Sequence, residues 1–236
     1  MKKYDVHSHI LPEIDDGASD IDISLLLLEA LECQGVTHLA FTPHFYTQYD
    51  EVENRLEEFL HKREKSFEKI KKYYTGNMKF TLGAEVHLSP NILMIENPNL
   101  LCYHSTNYML IEMPYNSDFS EEEIEILFQL INKHNITPVL AHIERYPALT
   151  KNKALMTRLK NMGCVMQINT ESLTRRFLKG KILKLIKEGY VTVIGSDTHS
   201  TTRGCDFGIG FMMIEKQCPI SVIDNINLSS SVLFVE

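Results

Sequence analysis

Histidine and carboxylate side chains recur where the apolar runs of this sequence end. The first run ends in His7-Ser8-His9, and later runs end at His44, Glu85 and Glu112. Imidazole and carboxylate groups are ligands of divalent metal ions, and two histidines separated by one residue on a strand point to the same side. These positions predict chemistry that depends on bound metal.

Two further apolar runs end in the same residue types, at His142 and at Asp197-Thr198-His199, and Asp16 follows the first run closely. The candidate ligands are His7, His9, Asp16, His44, Glu85, Glu112, His142, Asp197 and His199. Five imidazoles and four carboxylates without a thiolate favour zinc, manganese or iron over a structural cysteine site. Nine donors exceed what one ion requires and predict a cluster of two or three ions.

The elements that must position these side chains alternate between strands and helices. Several strand candidates, such as PVLAHI, are almost continuously apolar, which is typical of parallel strands covered on both faces. Strands are predicted at Tyr4–His7, Thr37–Thr42, Lys79–Val86, Tyr108–Met113, Pro138–His142, Cys164–Asn169 and Val191–Ser196. Helices are predicted at Ile21–Gln34, Asp50–Tyr74, Ser120–His134, Asn152–Met162, Gly180–Glu188 and Phe207–Gln217, the third with a capping box formed by Ser120 and Glu123.

Seven strands separated by crossovers predict one α/β domain over residues 1–236, with a parallel sheet that closes as a barrel. Six of the seven strands then bring a candidate ligand to one rim, because the carboxyl ends of parallel barrel strands meet there. The charge-rich segment Asp50–Tyr74 favours a solvated outer helix. A partner-docking face is the alternative for this segment.

Composition excludes several classes of protein. The chain has 236 residues, 44% of them hydrophobic and 23% charged, as in an ordinary soluble globular protein. Its net charge of −7 argues against sequence-independent binding of nucleic acid. Five scattered cysteines without a CxxC pair indicate a reducing compartment, so we expect a cytoplasmic protein. No signal peptide and no direct membrane insertion are expected, because the apolar runs are too short.

Five segments together resemble the polymerase-and-histidinol-phosphatase (PHP) superfamily in order and spacing. They are His7-Ser8-His9, Thr42-Pro43-His44, Gly83-Ala84-Glu85, AHIERY at 141–146 and Ser196-Asp197-Thr198-His199. The opening DVHSHILPEIDDGA and the TPHF, GAEV and AHIERY segments are most similar to the manganese-dependent bacterial protein-tyrosine phosphatases of capsular and exopolysaccharide operons. The similarity covers the chain essentially from end to end.

This resemblance implies a distorted seven-stranded β/α barrel of PHP type that carries three divalent ions, with manganese expected and iron or zinc as alternatives. By position, it implies that His7, His9, Glu85 and Asp197 hold one ion, that Glu85 bridges to a second ion completed by Glu112 and His142, and that Asp16, His44 and His199 hold the third. Arg145 and Arg203 are implied as the catalytic arginines that neutralise the phosphoryl oxygens.

The activity that the resemblance implies is hydrolysis of phosphotyrosine by a metal-activated water. The phosphate-binding loop of cysteine-dependent tyrosine phosphatases is absent from the sequence. The implied partner is the tail of a membrane-associated bacterial tyrosine kinase that controls capsular or exopolysaccharide synthesis, and a homo-oligomer stays open. Three divalent ions would bring the formal charge to about −1, which suits an anionic ester.

Three alternatives share parts of this pattern. A small-molecule phosphomonoesterase of histidinol-phosphatase type would use the same metals and chemistry. A PHP exonuclease fits less well, because the sequence has no polymerase region and no basic stripe. A catalytically silent binding module would be expected to lack some of the ligands, whereas the whole set is present here.

Overall fold

A computed structural model describes residues 2–235 as short parallel strands connected by helices. The strands are β1 Tyr4–Asp5, β2 His38–Phe41, β3 His44–Tyr46, β4 Lys79–Leu82, β5 Glu85–His87, β6 Tyr108–Glu112, β7 Thr137–Leu140, β8 Val165–Asn169 and β9 Val193–Gly195. The α-helices are α1 Ile21–Cys33, α2 Val52–Tyr73, α3 Glu121–His134, α4 Pro147–Thr150, α5 Lys153–Asn161, α6 Arg176–Lys187, α7 Phe207–Gln217 and α8 Ile220–Ser231. Short 3-10 turns cover Pro90–Met94, Pro98–Leu101, Ile143–Arg145 and Thr170–Leu173.

The strands form two sheets in which all neighbours are parallel. The order is β1-β2-β4 in the first sheet and β3-β5-β6-β7-β8-β9 in the second. One segment predicted as a single strand, Lys79–Val86, is therefore divided between the sheets, with an interruption between Leu82 and Glu85. The predicted strand Thr37–Thr42 corresponds to β2, and the short strand β3 that follows it was not predicted. Pro43 lies between β2 and β3, where its missing N–H cannot support a strand ladder.

The predicted α/β fold with a parallel sheet is confirmed, but a single closed seven-stranded barrel is not, because residues 2–235 form two sheets. Backbone hydrogen bonds nevertheless connect the first and last strand regions. Val6 N donates to Ile194 O at 3.3 Å, and Asp197 N donates to His7 O at 2.8 Å. His9 N in turn donates to Thr198 O at 2.9 Å. The segment after β1, which carries His7 and His9, therefore lies beside the segment after β9, which carries Asp197.

The helices begin and end where caps and burial allow. α3 follows Ser120, whose hydroxyl accepts from Glu123 N at 3.3 Å while the Glu123 carboxylate accepts from Ser120 N at 2.8 Å, so the predicted capping box is present. α6 begins at Arg176, before the predicted start at Gly180. Gly180 lies inside the helix, although glycine is a weak helix former. α8 was not predicted. Its serines and asparagines are weak helix formers, and it packs through Ile223 and Ile226.

The central strands are buried on both faces, as their apolar runs predict. In β6, Met109 and Ile111 join the large cluster under the helices, while Leu110 joins a smaller cluster with Val139 and Val193. The histidines and carboxylates of the predicted site lie at or beyond the ends of these strands. Among the helices within residues 2–235, none combines the length and hydropathy that crossing a bilayer requires.

Candidate active site

The nine predicted ligands meet at the carboxyl ends of the strands. Each has a ring nitrogen or carboxylate oxygen within 3.5 Å of one from another member of the set. We call the nine residues the ligand cluster. It has a buried inner part around His7 and His9 and a more exposed outer part around Asp16.

The inner part is centred on two histidine rings that face each other. His7 Nε2 lies 3.0 Å from His9 Nε2. The same two nitrogens lie 3.3 and 3.2 Å from the two oxygens of Glu85 and 3.5 and 3.4 Å from Asp197 Oδ1. None of these four side chains is more than 5% exposed. Two imidazole nitrogens and two carboxylates therefore converge on one small volume that water does not reach freely.

Glu85 connects the inner part to two further histidines. Its Oε1 lies 2.8 Å from His142 Nε2, and its Oε2 lies 3.0 Å from His44 Nδ1. Burial opposes ionisation of this carboxyl, but the charge of His7 and the hydrogen bond from His142 outweigh it and hold the pKa of Glu85 well below its usual range. Glu85 is therefore an anion surrounded by imidazoles.

The outer part is organised by Asp16, whose side chain is 56% exposed. Asp16 Oδ1 lies 3.4 Å from His44 Nε2 and 3.3 Å from His199 Nε2. Glu112, which is 21% exposed, approaches the inner part from the other side with Oε1 3.4 Å from His142 Nε2. These carboxylates are open to solvent on one side and to the buried histidines on the other.

The arrangement fits divalent metal ions. Three groups have ligand atoms that all lie within 4.8 Å of one another: His9, Asp16, His44 and His199; His7, His9 and Glu85; and His44, Glu85 and Glu112. His44 Nδ1 and His199 Nε2 are buried and have no hydrogen-bond partner within residues 2–235, although carboxylate oxygens lie 3.0 and 3.3 Å away. A metal ion that both the ring nitrogen and the carboxylate bind would account for such a short approach without a hydrogen bond. The ligand cluster could therefore hold metal.

Both predicted arginines contact carboxylates of the ligand cluster. Arg145 lies in the 3-10 turn that follows His142, and its Nη2 donates to Asp197 Oδ2. Arg203 Nη1 donates to Asp16 Oδ2 at 2.9 Å. The two side chains are 46% and 50% exposed. Their remaining N–H groups are available to an anion that approaches from solvent.

Two ligands occupy backbone conformations that non-glycine residues seldom adopt. His142 has φ 32° and Asp197 has φ 57°. Positive φ costs free energy, and such residues concentrate at functional sites where surrounding contacts hold them. Here the turn at His142 starts the segment that carries Arg145, and the turn at Asp197 carries the chain on to His199.

Asp15 contacts two members of the ligand cluster and was missed by the sequence reasoning. Its Oδ2 lies 2.7 Å from His9 Nδ1 and accepts from His44 N at 3.1 Å, and its Oδ1 accepts from Gly17 N at 3.0 Å. Burial opposes its ionisation, yet these contacts lower the pKa of Asp15 to about 2. A carboxylate on the far nitrogen of a ligating imidazole fixes the ring and raises its basicity. The only signal in the sequence was its position beside Asp16.

Strand β8 has no predicted ligand but supports three of them through two amides that the sequence reasoning also missed. Gln167 Oε1 accepts from His142 N at 2.6 Å and lies 3.4 Å from His7 Nδ1. Gln167 Nε2 donates to Asn169 Oδ1 at 2.9 Å, and Asn169 Nδ2 donates to Asp197 Oδ2 at 2.8 Å. We call Gln167 and Asn169 the amide pair. It ties together ligands from the regions of β1, β7 and β9.

The surroundings shift the pKa values of two histidines in opposite directions. Burial opposes the charged form of His142, but hydrogen bonds with Glu112 and Glu85 outweigh it and raise its pKa to about 9. Burial and the neighbouring charge of His9 lower the pKa of His199 to about 4. Tyr46, at the edge of the site, has its pKa raised to about 12 by burial and by Asp16 and Glu112. Its phenol is therefore a neutral hydrogen-bond donor near neutral pH.

Comparison with known proteins gives a consistent result. The family model for capsular polysaccharide synthesis, CpsB/CapC, matches residues 3–232. The chain is 30% identical over 209 residues to the tyrosine-protein phosphatase CpsB of Streptococcus agalactiae, with 83% of this chain and 82% of the relative covered. It is 29% identical over 221 residues to the tyrosine-protein phosphatase YwqE of Bacillus subtilis, with 90% and 84% covered.

A solved structure has the same fold. It comes from work on YwqE of Bacillus subtilis and CpsB of Streptococcus pneumoniae, which are described there as metal-dependent tyrosine phosphatases. The TM-score is 0.82 at 23% sequence identity, and the alignment covers 98% of this chain and 94% of the other.

Proposed function

This chain belongs to the CpsB/CapC family of capsular polysaccharide synthesis proteins, and from that premise we propose that it is a metal-dependent protein-tyrosine phosphatase. The observation that carries the proposal is the ligand cluster, in which nine imidazole and carboxylate side chains from the ends of several strands and from the loop at Asp16 meet beside two exposed arginines. The curated relatives are named tyrosine-protein phosphatases, which gives the reaction class.

We infer that the two sheets are parts of one distorted seven-stranded barrel of PHP type, forming a single domain. The hydrogen bonds from Val6 to Ile194 and from Asp197 to His7 support this, since they link the first strand to the last. In such a barrel the carboxyl ends of the strands form the active-site rim. The positions of the nine ligands agree with that location.

Three divalent ions, with manganese first and iron or zinc as alternatives, would occupy the ligand cluster. His7, His9, Glu85 and Asp197 would hold one, Glu85, Glu112 and His142 a second, and Asp16, His44 and His199 the third. Bound ions would lower the pKa of a water molecule toward neutrality and polarise the phosphoryl oxygens. Asp15 and the amide pair would orient the ligands from behind.

Arg145 and Arg203 would bind the phosphoryl group. An arginine presents a planar fork of N–H donors that matches two phosphate oxygens and never loses its charge near neutral pH. Asp197 and Asp16 hold one edge of each guanidinium in place. The opposite edges would donate hydrogen bonds to the equatorial oxygens and so stabilise the negative charge that these oxygens carry in the transition state. A tyrosyl leaving group, with a pKa of about 10, needs less assistance from a general acid than an alkyl alcohol does.

The partner that we propose is the phosphorylated tail of a membrane-associated bacterial tyrosine kinase that controls capsular or exopolysaccharide synthesis. Membership of a capsular polysaccharide synthesis family supports this choice. The reaction would then take place in the cytoplasm, where such a tail is exposed.

The test compares two substrates under controlled metal content. The protein is assayed with a phosphotyrosine peptide and with histidinol phosphate, after chelation and after addition of manganese. We expect hydrolysis of the peptide with a kcat/KM at least tenfold above that for histidinol phosphate, lost on chelation and restored by manganese. A preference for histidinol phosphate would replace the proposal with a small-molecule phosphatase.

Alkylation of thiols separates this mechanism from that of cysteine-dependent phosphatases. Burial raises the pKa of both Cys102 and Cys164 to about 12, so neither forms a thiolate near neutral pH. We expect iodoacetamide at pH 7.5 to leave the activity intact while it modifies the exposed Cys33. Loss of activity with unchanged metal content would contradict a metal-based mechanism.

A further inference from the structure

A cavity of about 470 Å³ lies directly beside the outer part of the ligand cluster. The segment after β1 contributes Ile14 and Asp16, strand β3 contributes His44 and Tyr46, and helix α2 forms the opposite wall. Asp16 is also the residue that holds Arg203. A molecule whose phosphoryl group is bound by the arginines can therefore extend into this cavity without crossing another element.

Planar side chains extend from the ligand cluster past the cavity toward helix α2. The Tyr46 ring stacks on the His44 ring with a centroid distance of 5.3 Å and an interplanar angle of 26°. Tyr49 meets Tyr46 edge to face at 6.4 Å, and the Arg55 guanidinium lies 4.6 Å from the centre of the Tyr49 ring. Tyr46 is 38% exposed, so part of its ring remains available to another ring.

The floor of the cavity is apolar and its outer wall is charged. Phe45 and Phe59 line the cavity and are almost fully buried. Arg55, Glu58 and Lys62 also line it and lie with Phe59 on one face of α2, at spacings of three and four residues. Asp15, Asp16 and His44 line the end of the cavity next to the ligand cluster. An apolar floor between these groups and the charged side chains of α2 suits an aromatic side chain attached to a peptide backbone that stays in solvent.

We propose that this cavity is the subsite for the tyrosyl ring of the substrate and that Tyr46 is the residue that selects an aryl phosphate over an alkyl phosphate. The inference rests on the proposed phosphatase function and goes beyond it by locating the leaving group. The substrate ring packs against the free part of the Tyr46 ring, in the offset or edge-to-face geometry that aromatic pairs prefer. An alkyl ester gains nothing from this surface.

The experiment measures binding of two phosphonates that the enzyme cannot hydrolyse to the manganese-loaded protein by calorimetry. Phenylphosphonate carries the ring and methylphosphonate lacks it. We expect the wild type to bind phenylphosphonate more tightly, and Tyr46→Leu to weaken phenylphosphonate about 3- to 10-fold while the affinity for methylphosphonate stays the same. Tyr46→Phe should keep the preference for the ring.

Tyr73→Leu is the matched control, since Tyr73 is similarly exposed but lies at the far end of α2. It should change neither affinity. The inference is overturned if the wild type shows no preference for phenylphosphonate, or if Tyr46→Leu weakens both ligands equally, because Tyr46 would then only support His44. Turnover of a phosphotyrosine peptide by the wild type is measured in parallel. Normal turnover without a ring preference refutes the subsite alone, whereas absent turnover refutes the proposed function and the subsite with it.

Discussion

The inner and outer parts of the ligand cluster use the same residue types in different surroundings. His7, His9, Glu85 and Asp197 are at most 5% exposed and are supported from behind by Asp15 and the amide pair. Asp16, by contrast, is 56% exposed and pairs with an arginine that is itself half exposed.

This difference assigns different tasks to the two parts. A buried carboxylate among imidazoles is costly unless a charge compensates it, so the inner part is suited to retaining cations under the proposed function. The outer part faces solvent, where an anionic ester can arrive and the two exposed arginine side chains can turn toward it. Variants of the inner part should therefore lose metal first, and variants of the arginines should lose catalysis first.

The largest effect is expected for Glu85→Gln. This change keeps the size of the side chain but removes the charge that faces His7, His9, His44 and His142. We expect the affinity for manganese to fall at least about 100-fold and kcat/KM to fall by about 10³ or more, as measured by metal titration and by turnover of a phosphotyrosine peptide. Glu57→Gln on the exposed face of α2 is the control. Retention of full metal content by Glu85→Gln would remove the inner part from the metal site.

The second prediction distinguishes the role of an arginine from that of the proposed metal ligands. Arg145→Ala removes a donor that we propose binds the phosphoryl oxygens and that is not one of the nine proposed metal ligands. We expect kcat to fall by about 10² to 10³ while the metal content per chain stays at the wild-type value. If the variant purifies without its metal, Arg145 supports Asp197 instead of binding the phosphoryl group.

The third effect is a pH dependence of the metal-free protein. The pKa of His142 is about 9 in the folded chain and about 6.5 when unfolded, so its stabilising contribution is complete below pH 6.5 and is lost as the pH rises through 9. We expect the free energy of unfolding of the metal-free protein to fall by about 2–3 kcal/mol across that range. Urea unfolding at several pH values measures it, with His142→Gln as the variant that removes this component. Constant stability across this range would mean that His142 is not a paired cation in the metal-free state.

The smallest effect is expected where a supporting residue is replaced and all nine proposed ligands are kept. Gln167→Leu leaves His142 N and Asn169 Oδ1 without the partners that they have now. We expect the affinity for manganese to fall about 10- to 100-fold, with turnover largely recovered when manganese is saturating. Gln129→Leu on the surface of α3 controls for the loss of an amide. An unchanged affinity in Gln167→Leu would show that the amide pair supports the fold and not the metal site.

The sequence predicts that most of the nine candidate ligands meet, because they lie at or just after the carboxyl ends of apolar parallel strands, and these ends lie side by side. His142 after PVLA and Glu112 after YMLI are examples. The supporting residues lack such a signal. Asp15 and Asp16 are adjacent and chemically identical, and only the chain reversal held by the hydrogen bond from Ala18 N to His9 O determines which one faces His9.

The amide pair and the breaks in the strands escape prediction for related reasons. Gln167 and Asn169 do not titrate and look like ordinary strand residues until their neighbours are known. The run from Lys79 to Val86 is apolar enough to be one strand, yet at Gly83 the chain passes close to the Tyr103 ring and moves from one sheet to the other. Contacts between distant segments decide both features.

Metal content measured together with turnover is the most direct test of the proposal that hydrolysis depends on ions bound by the ligand cluster. Purified protein is supplemented with manganese, freed of excess metal, and divided between elemental analysis and an assay with a phosphotyrosine peptide before and after chelation. We expect about three ions per chain, as for nine protein donors shared among several ions. We also expect the activity to be lost when these ions are removed and to return when they are restored. Less than one ion per chain with undiminished turnover would contradict the proposal.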